Sequence, residues 1–211
     1  EAAGTMKMGL GRDEIVRSAL DLLNEVGLDA FTTRRLAERL GVKQPAIYWH
    51  FKNKRDLLDE MAAQMMKEGV PPGPMTPDTW IETLKDNARN FRDSLLRYRD
   101  GARVHAGTRP DASLYASLDS RVRAMRDAGF SADDAVRAMM VMSHYVVGSV
   151  IEEQSGAEAA RVSIDSGFVP DADTYPDLSY GISQMLDDDA TDGFEFGLDA
   201  LVRGLAASRP A

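Results

Sequence analysis

Apolar residues recur at intervals of three and four positions along most of this chain, a spacing that predicts amphipathic α-helices. At the N-terminal end, turn residues divide the pattern into three segments. They are a helix over 13–26 that stops at Gly27, a two-turn helix capped by Thr32 or Thr33 that stops at Gly41, and a third helix opened by Gln44-Pro45 that extends to Phe51. The chain is therefore expected to open with short helices separated by tight turns.

Longer helical periods follow. We expect a connecting helix from Lys54 to about Met66, helices over 77–98 and 111–128, a long helix capped by Ser131 with Asp134 three residues on, and a last helix from Thr191 or Asp192. The stretch from Gly156 to about Asp173 is polar, small and aperiodic, and it predicts a mobile loop. Because alternating, strand-like segments are scarce, the predicted fold is all-α.

Two short helices joined by a tight, glycine-containing turn are typical of the helix-turn-helix, whose second helix enters the major groove of DNA. The spacing alone fits an ordinary helical hairpin equally well. Charge favours the first interpretation, because the window 32–55 holds seven basic residues and one acidic residue, a net charge of +6. The predicted third helix also carries side chains that can donate to bases and phosphates or make flat apolar contacts: Gln44, Tyr48, Trp49 and His50.

The net charge of −9 at first argues against a nucleic-acid partner. Residues 1–60 are neutral in sum, however, so all of the excess acid lies in 61–211. A local basic patch can still neutralise phosphates, because physiological salt screens charges beyond about 8 Å. The charge distribution therefore separates a DNA-facing N-terminal part from an acidic remainder.

Candidate chemistry elsewhere is sparse. The sequence contains no glycine-rich phosphate loop, nucleophile elbow or zinc-protease motif, and only three histidines, so we expect no enzymatic activity. The acidic run at 187–192 departs from a calcium-binding loop at its third and twelfth positions, and the start of a helix explains it better. Cysteine is absent, and neither a secretory signal nor a membrane-length apolar segment occurs, so we expect a cytoplasmic protein that is stabilised by packing.

The segment 100–110 interrupts the helical pattern with two glycines and a proline while it presents His105, Thr108 and Arg109. Two interpretations are open. The segment is either a polar connector between helices or a turn that responds to a bound ligand.

These residues resemble the tetracycline repressor (TetR) family of transcriptional regulators. The resemblance includes Ser18–Gly27, Thr32–Ala37, Leu40–Pro45, Tyr48–Arg55, Arg99–His105, Gly107–Pro110, Gly129–Ser131 and Glu152–Gln154. It covers almost the whole chain, with 156–185 the least similar part. It implies a helix-turn-helix DNA-binding domain over 1–53, a connecting helix over 54–70, and a larger helical domain for ligand binding and dimerisation over 71–211.

The resemblance implies a homodimeric repressor that binds a palindromic operator and is released from it by a small-molecule inducer. Arg34 and Gln44 would lie nearest the bases, and other side chains would contact mainly phosphates. The implied DNA contacts are Thr33, Arg34, Gln44, Pro45, Tyr48, Trp49, His50 and Lys54. The long helices from Ser131 and from Thr191 would form a four-helix bundle with a second subunit, which places two recognition helices about one turn of DNA apart.

For the inducer, the resemblance implies a tetracycline chelated to Mg²⁺, with no cofactor bound by the protein alone. His105 matches the histidine that binds the metal, while Thr108 and Glu152 of the partner subunit match residues that hold the metal's waters. Further ligand contacts are implied for Asn87, Phe91, Arg109, Pro110 and Arg121. Since one histidine and one carboxylate cannot cage Mg²⁺, the chelating ligand would supply the remaining oxygen atoms.

Two departures from the family pattern bear on the inducer. The histidine that the family carries near the end of the connecting helix has no counterpart in 67–72, and Arg121 stands where the family has a glutamine. A semi-buried cation there favours a more acidic or differently shaped ligand unless Glu152 or Glu153 neutralises it; alternatively, its side chain faces solvent. Two inducers stay open: a tetracycline-like polyketide, or another planar or anionic molecule that acts without metal or without DNA release.

Overall fold

The computed structural model describes residues 10–69, 73–108, 112–162, 170–187 and 190–208. Within these ranges the chain forms ten α-helices and no strand, which confirms the predicted all-α fold. The helices are α1 (Arg12–Ala30), α2 (Thr33–Leu40), α3 (Pro45–Tyr48), α4 (Lys54–Lys67), α5 (Trp80–Leu96), α6 (Gly101–His105), α7 (Tyr115–Asp127), α8 (Ala132–Val162), α9 (Pro176–Asp187) and α10 (Ala190–Ala207). A short 3-10 turn, Ala112–Leu114, precedes α7.

The helices belong to two compact units. The first comprises the described parts of Glu1–Gly69 and Ser94–Arg109, and the second comprises those of Val70–Asp93 and Pro110–Ala211. The first unit thus holds α1 to α4 with α6, and the second holds most of α5 with α7 to α10. The sequence does not predict that residues 94–108 group with the N-terminal helices, and the domain boundaries at 53 and 70 stay a prediction.

An apolar core stabilises the first unit. Helices α1, α2 and α4 pack around it, and α6 adds Val104. Its fully buried side chains include Ile15, Leu23, Phe31, Leu36, Ile47, Phe51, Leu57, Met61 and Met65. Burying one such side chain contributes about 1.5–3 kcal/mol, so this core fixes the frame that carries the short helix α3.

The helix ends in this unit follow local signals in the sequence. Gly27 has φ 74° and interrupts α1, and Gly41 has φ 67° and terminates α2, both in a backbone conformation that favours glycine. Thr32 caps α2, because its side chain accepts a hydrogen bond from the Arg35 N–H at 3.2 Å.

The third helix is shorter than predicted, since it ends at Tyr48 and not at Phe51. The Phe51 N–H still reaches the Ile47 carbonyl at 3.1 Å. The His50 carbonyl, however, accepts a hydrogen bond from the guanidinium of Arg12. A side chain of α1 therefore satisfies the backbone where the hydrogen-bond ladder of α3 stops.

The long helix of the second unit begins as predicted and ends later. The Ser131 hydroxyl caps α8 by accepting a hydrogen bond from the Asp134 N–H at 3.2 Å. The predicted loop from Gly156 is wrong as far as Val162, because α8 continues to that residue; residues 163–169 lie outside the described part. The segment 157–162 is mostly alanine, glutamate and arginine, which extend an existing helix readily.

Other helix ends differ from the predicted ones by about one turn or less. Helix α5 covers Trp80–Leu96 where 77–98 was expected, α7 begins at Tyr115 after the 3-10 turn, and α10 begins at Ala190. Helix α9, Pro176–Asp187, has no counterpart among the predicted helices. Leu178, Tyr180 and Met185 are exposed in the single chain, whereas Ile182 is half-buried.

Two ion pairs join α5 to α10 in the second unit. Lys85 Nζ lies 2.7 Å from Asp199 Oδ1. Arg89 donates to both carboxylate oxygens of Glu195 at 2.8 Å, and this pairing lowers the pKa of Glu195. Both pairs are partly exposed, so each contributes about 0–1 kcal/mol to the contact of α5 with α10.

Helices α8 and α10 leave apolar side chains on the surface of the single chain. Among the described side chains of α8, the buried ones are Ala135, Ala138, Met142, Val146 and Val150. On its other side, Val136 is 43% exposed and Met140 is 53% exposed. Phe196 of α10 is 75% exposed. Exposed apolar residues on helices of this length are typical of a subunit interface.

Candidate DNA-binding and ligand-binding sites

One hydroxyl group in the first unit organises two of the predicted DNA-contacting side chains. Thr33 is the first residue of α2, and its side chain is buried. Its Oγ1 accepts a hydrogen bond from Gln44 Nε2 at 2.8 Å and lies 3.0 Å from the Tyr48 hydroxyl. Gln44 and Tyr48 stand at the two ends of α3, so this network fixes the four-residue helix to α2.

The outer face of α3 is open to solvent. Trp49 is 84% exposed and Tyr48 is 42% exposed, while Gln44 and Pro45 also lie at the surface and His50 is half-buried. A large aromatic side chain that is left in water beside hydrogen-bonding groups indicates a surface that a partner covers.

Two cations flank this face. Arg34 is exposed and pairs with Glu38 at 3.0 Å, an i,i+4 pair of a kind that contributes only about 0.3–0.5 kcal/mol, so DNA can easily displace the carboxylate. Lys54 Nζ donates to the Phe31 carbonyl at 2.8 Å, and its ammonium has further N–H donors for a phosphate. It also begins α4, and a helix N-terminus favours an anion.

The predicted ligand-responsive turn folds back on His105. The Thr108 N–H and hydroxyl both donate to the His105 carbonyl, at 3.0 and 2.7 Å. Gly107 between them has φ 73°. Burial and the nearby Arg55 guanidinium lower the pKa of His105, so its imidazole is neutral at pH 7. Neutral imidazole is the form that binds a metal ion.

The same turn contacts the connecting helix α4. Both terminal nitrogens of Arg55 lie 3.5 Å from the Ala106 carbonyl, and its Nε lies 2.8 Å from Asp59 Oδ1. The turn is therefore in contact with the first turn of α4. Arg109 and Pro110, the next predicted ligand residues, lie outside the described part of the chain.

The other predicted ligand residues belong to the second unit. Asn87 and Phe91 are half-buried, one turn apart on α5, and Asn87 Oδ1 is buried without a hydrogen-bond partner among the described residues. Arg121 on α7 is half-buried, and burial lowers its pKa. No carboxylate in the described ranges pairs with Arg121, and Glu152 on α8 is exposed. An acceptor and a cation without partners are groups that a bound ligand can satisfy.

Glu153 does not neutralise Arg121, because it forms an ion pair with another cation. It forms a 2.7 Å ion pair with Arg92, which is only 9% exposed. The Arg92 guanidinium also lies 5.2 Å from the centre of the Phe194 ring. Of the two acids that the sequence offers as partners for Arg121, only the exposed Glu152 is left.

Two side chains that sequence reasoning missed tie α6 to α1. Asp100 is the one non-glycine residue with positive φ in the described part of the chain, at 57°, and its Oδ2 accepts a hydrogen bond from the Leu28 N–H at 2.7 Å. Arg103 pairs with Asp29 at 2.7 Å and with Asp100 at 3.0 Å, and it lowers the pKa of Asp29. The Asp100-Gly101 dipeptide is a turn signal, but nothing in the spacing relates it to Leu28.

Two features are absent from the part of the chain that the structure describes. None of the helices there has the length and apolar composition of a membrane span. No group of three or more histidine, aspartate or glutamate side chains there could hold a metal ion.

A helix-turn-helix with an exposed, cation-flanked face, in a chain that also has a larger helical unit, defines a DNA-binding regulator. Family models agree with this class. The model for "Bacterial regulatory proteins, tetR family" matches residues 15–61, and "Tetracyclin repressor-like, C-terminal domain" matches residues 73–209. The chain belongs to the TetR family and is a repressor homologous to the tetracycline repressors.

Individual relatives give the same result. The chain is 50% identical over 196 residues to the tetracycline repressor protein class A from transposon 1721 of Escherichia coli, covering 92% of this chain and 90% of that protein. The crystal structure of TetR from Acinetobacter baumannii AYE is 41% identical with a TM-score of 0.76, covering 96% of this chain and 100% of that one. TetR(class A) in complex with 5a,6-anhydrotetracycline and magnesium is 44% identical with a TM-score of 0.73, covering 93% and 97%.

Proposed function

We propose that this repressor binds a palindromic operator as a homodimer, through α3 of each subunit, and leaves the DNA when a small molecule binds beside His105. The observation that carries the proposal is the hydrogen-bond network of Thr33, Gln44 and Tyr48. This network orients α3, whose outer face ends in the exposed side chain of Trp49. Its activity is binding and not catalysis, and it works in the cytoplasm, where bacterial operator DNA lies.

Dimer formation is supported by the apolar side chains that a single chain leaves exposed. Val136 and Met140 of α8 and Phe196 of α10 are among them. Covering them with the same helices of a second copy forms a four-helix bundle and removes that surface from water. A twofold axis through such a bundle relates the two α3 helices, and this symmetry requires a palindromic operator.

The inducer that we propose is a tetracycline-type polyketide chelated to Mg²⁺, which gives the regulator a role in antibiotic resistance. The class A relative was solved with 5a,6-anhydrotetracycline and magnesium. In this chain the described residues fit a metal only when it arrives with its own oxygen ligands, because no three-residue acidic or histidine cluster is present among them. Bound in this way, Mg²⁺ would supply positive charge beside the drug's oxygens, and a protein side chain would hold it.

His105 is the residue that would ligate this metal, because its lowered pKa keeps the imidazole unprotonated. The Thr108 hydroxyl donates its hydrogen to the His105 carbonyl, so its oxygen keeps lone pairs that would accept a hydrogen bond from a water of the metal. Glu152 of the partner subunit would accept from another such water. Phe91, Arg109 and Pro110 would contact the drug, and Asn87 Oδ1, which is buried without a partner among the described residues, would accept a hydrogen bond from it.

A specific observation favours a second candidate. Arg121 is half-buried, and no described carboxylate pairs with it, so a ligand with an anionic group opposite this guanidinium gains a charge-assisted hydrogen bond. That ligand is an acidic planar molecule bound without metal. In either case Arg121 selects for negative charge.

Release of DNA follows from the contact between the ligand turn and α4. A ligand at His105 and Thr108 favours a changed conformation of the turn 107–110. Arg55 transmits that change to α4 through its contact with the Ala106 carbonyl. Helix α4 then moves the DNA-binding helices of each subunit, so the two α3 helices no longer fit successive major grooves.

Calorimetric titration tests the inducer. Wild-type protein is titrated with tetracycline, with and without Mg²⁺, beside His105→Ala and Arg121→Gln. Tight binding that requires Mg²⁺ and is lost in His105→Ala supports the metal-chelated drug. Absence of tetracycline binding refutes the metal-chelated drug as inducer. In that case, tighter binding of an acidic planar molecule by wild type than by Arg121→Gln supports the second candidate.

Selection of duplexes from a random library tests operator binding. We expect the selected sites to be palindromic. Gln44→Ala then loses sequence discrimination by about 1–3 kcal/mol. Lys54→Ala weakens binding to all duplexes and lowers the salt slope by about one. Failure to enrich any palindrome contradicts the proposed function.

A further inference from the structure

Arg12, the first residue of α1, connects three parts of the first unit. Its Nε lies 2.8 Å from Glu60 Oε2 on α4. Its Nη1 donates to the His50 carbonyl, and its guanidinium carbon lies 4.4 Å from the centre of the Phe51 ring. One side chain of α1 thus joins α4 to the segment directly after α3.

The segment after α3 depends on contacts of this kind. Helix α3 has four residues, too few to hold an orientation through its own backbone hydrogen bonds. Ile47 and Phe51 are buried and anchor its inner side. Between them Trp49 projects into solvent, 84% exposed. The N–H groups of His50 and Phe51 both donate to the Ile47 carbonyl, and the His50 carbonyl, held by Arg12, adds a further point at which this outer turn is fixed.

A guanidinium is suited to holding the His50 carbonyl and a carboxylate together. It is planar and carries five N–H donors, so it can bond a carboxylate and a carbonyl at the same time, which a lysine ammonium does less well. The bond to Glu60 is charge-assisted and attaches the guanidinium to α4. Helix α4 also carries Arg55, which contacts the ligand turn. Arg12 consequently connects α4, which contacts the ligand-responsive turn, to the segment after α3, which is proposed to contact DNA.

We propose that Arg12 is a positioning residue for operator binding. Held by Glu60, it fixes the His50 carbonyl and so sets the orientation in which Trp49 and His50 meet the DNA backbone. Arg12 acts through His50 and does not itself neutralise a phosphate. This inference rests on the operator binding proposed above.

The test compares three single variants on a selected operator duplex. Arg12→Gln and Glu60→Gln each weaken operator binding by roughly tenfold. Arg17→Gln is the matched control, because Arg17 lies on the same helix, carries the same charge and makes only a 3.4 Å contact with the Asp13 carbonyl. Glu60→Gln is decisive, since removing an acid tightens DNA binding if only net charge matters.

Two further readouts separate positioning from direct contact or from general damage. The slope of log Kd against log salt stays at its wild-type value in Arg12→Gln, whereas loss of a phosphate contact lowers it by about one. The double variant Arg12→Gln/Glu60→Gln binds operator no more weakly than either single variant, because both act through one bond. Inducer binding by each variant, measured with the same titrant as wild type, stays unchanged.

Several results overturn the inference: operator affinity of Glu60→Gln at or above that of wild type, equal losses in Arg12→Gln and Arg17→Gln, or a lowered salt slope. In each of these cases wild-type protein still binds the selected duplex, so operator binding stands. If wild type itself binds no selected duplex, the proposed function fails and this inference fails with it.

Discussion

Thr33→Val tests the DNA-binding surface most directly. Valine is close in shape to threonine but lacks the hydroxyl, so the substitution removes the partner of Gln44 and Tyr48 without opening a large cavity at a buried position. Each such hydrogen bond contributes about 0.5–1.5 kcal/mol net, and the two together about 1–3 kcal/mol. If operator binding requires both side chains in these positions, the operator Kd rises by about five- to 150-fold.

The assay is fluorescence anisotropy with a selected operator duplex at fixed salt, beside urea unfolding of the same variants. Thr33→Ser is the matched control, because it keeps the hydroxyl and loses only a methyl group. We expect its operator Kd to stay close to that of wild type. Wild-type affinity in Thr33→Val refutes the reasoning, and equal weakening in both variants assigns the effect to packing of the methyl group.

Three further predictions concern stability and release. Gly197→Ala lowers the free energy of unfolding by about 2–3 kcal/mol, because a Cβ there lies 2.2 Å from the Tyr145 hydroxyl and displaces that ring. Gly204→Ala is the control: its Cβ meets open space, so it raises the free energy of unfolding by about 0.5–1 kcal/mol. Equal urea unfolding of the two glycine variants contradicts this. Folding lowers the pKa of His105 below its ordinary value of 6.5, so its contribution to stability is complete above pH 6.5 and is lost as the pH falls through the folded-state pKa. His105→Gln removes this part of the pH dependence in unfolding measured between about pH 8 and 5, and an unchanged profile argues against it. Gly107→Ala strains a backbone with φ 73° by about 1 kcal/mol, so more inducer is needed for release while the operator Kd is unchanged; a collapse of operator affinity instead makes the turn structural.

Helix boundaries that depend on neighbouring residues could be predicted from the sequence. The break at Gly27, the end of α2 at Gly41 and the caps at Thr32 and Ser131 lie where expected, because each depends on a backbone conformation or a side chain within a few residues; α1, however, resumes after Gly27 and ends at Ala30. The family resemblance, confirmed by the comparisons, rests on the same local runs of sequence.

Features that depend on distant contacts could not be predicted. The bond between Asp100 and Leu28 and the ion pair between Arg92 and Glu153 join residues far apart in sequence, and no spacing rule relates them. Helix α9 was not predicted for a different reason. Leu178, Ile182 and Met185 lie at helical spacing, but Leu178 and Met185 are exposed in the single chain, so its core gives no independent reason to expect a helix there.

The exposed apolar residues of α8 and α10, through which two subunits are proposed to associate, have a consequence for gene dosage. For the dimer proposed above, association removes folded subunits from the unfolding equilibrium, so the amount of folded repressor depends on its total concentration. Where subunits and dimers coexist, mass action makes the dimer concentration fall more than in proportion to the total. Halving expression then removes more than half of the species that reads both halves of a palindrome, and the regulated gene responds to repressor copy number more steeply than linearly.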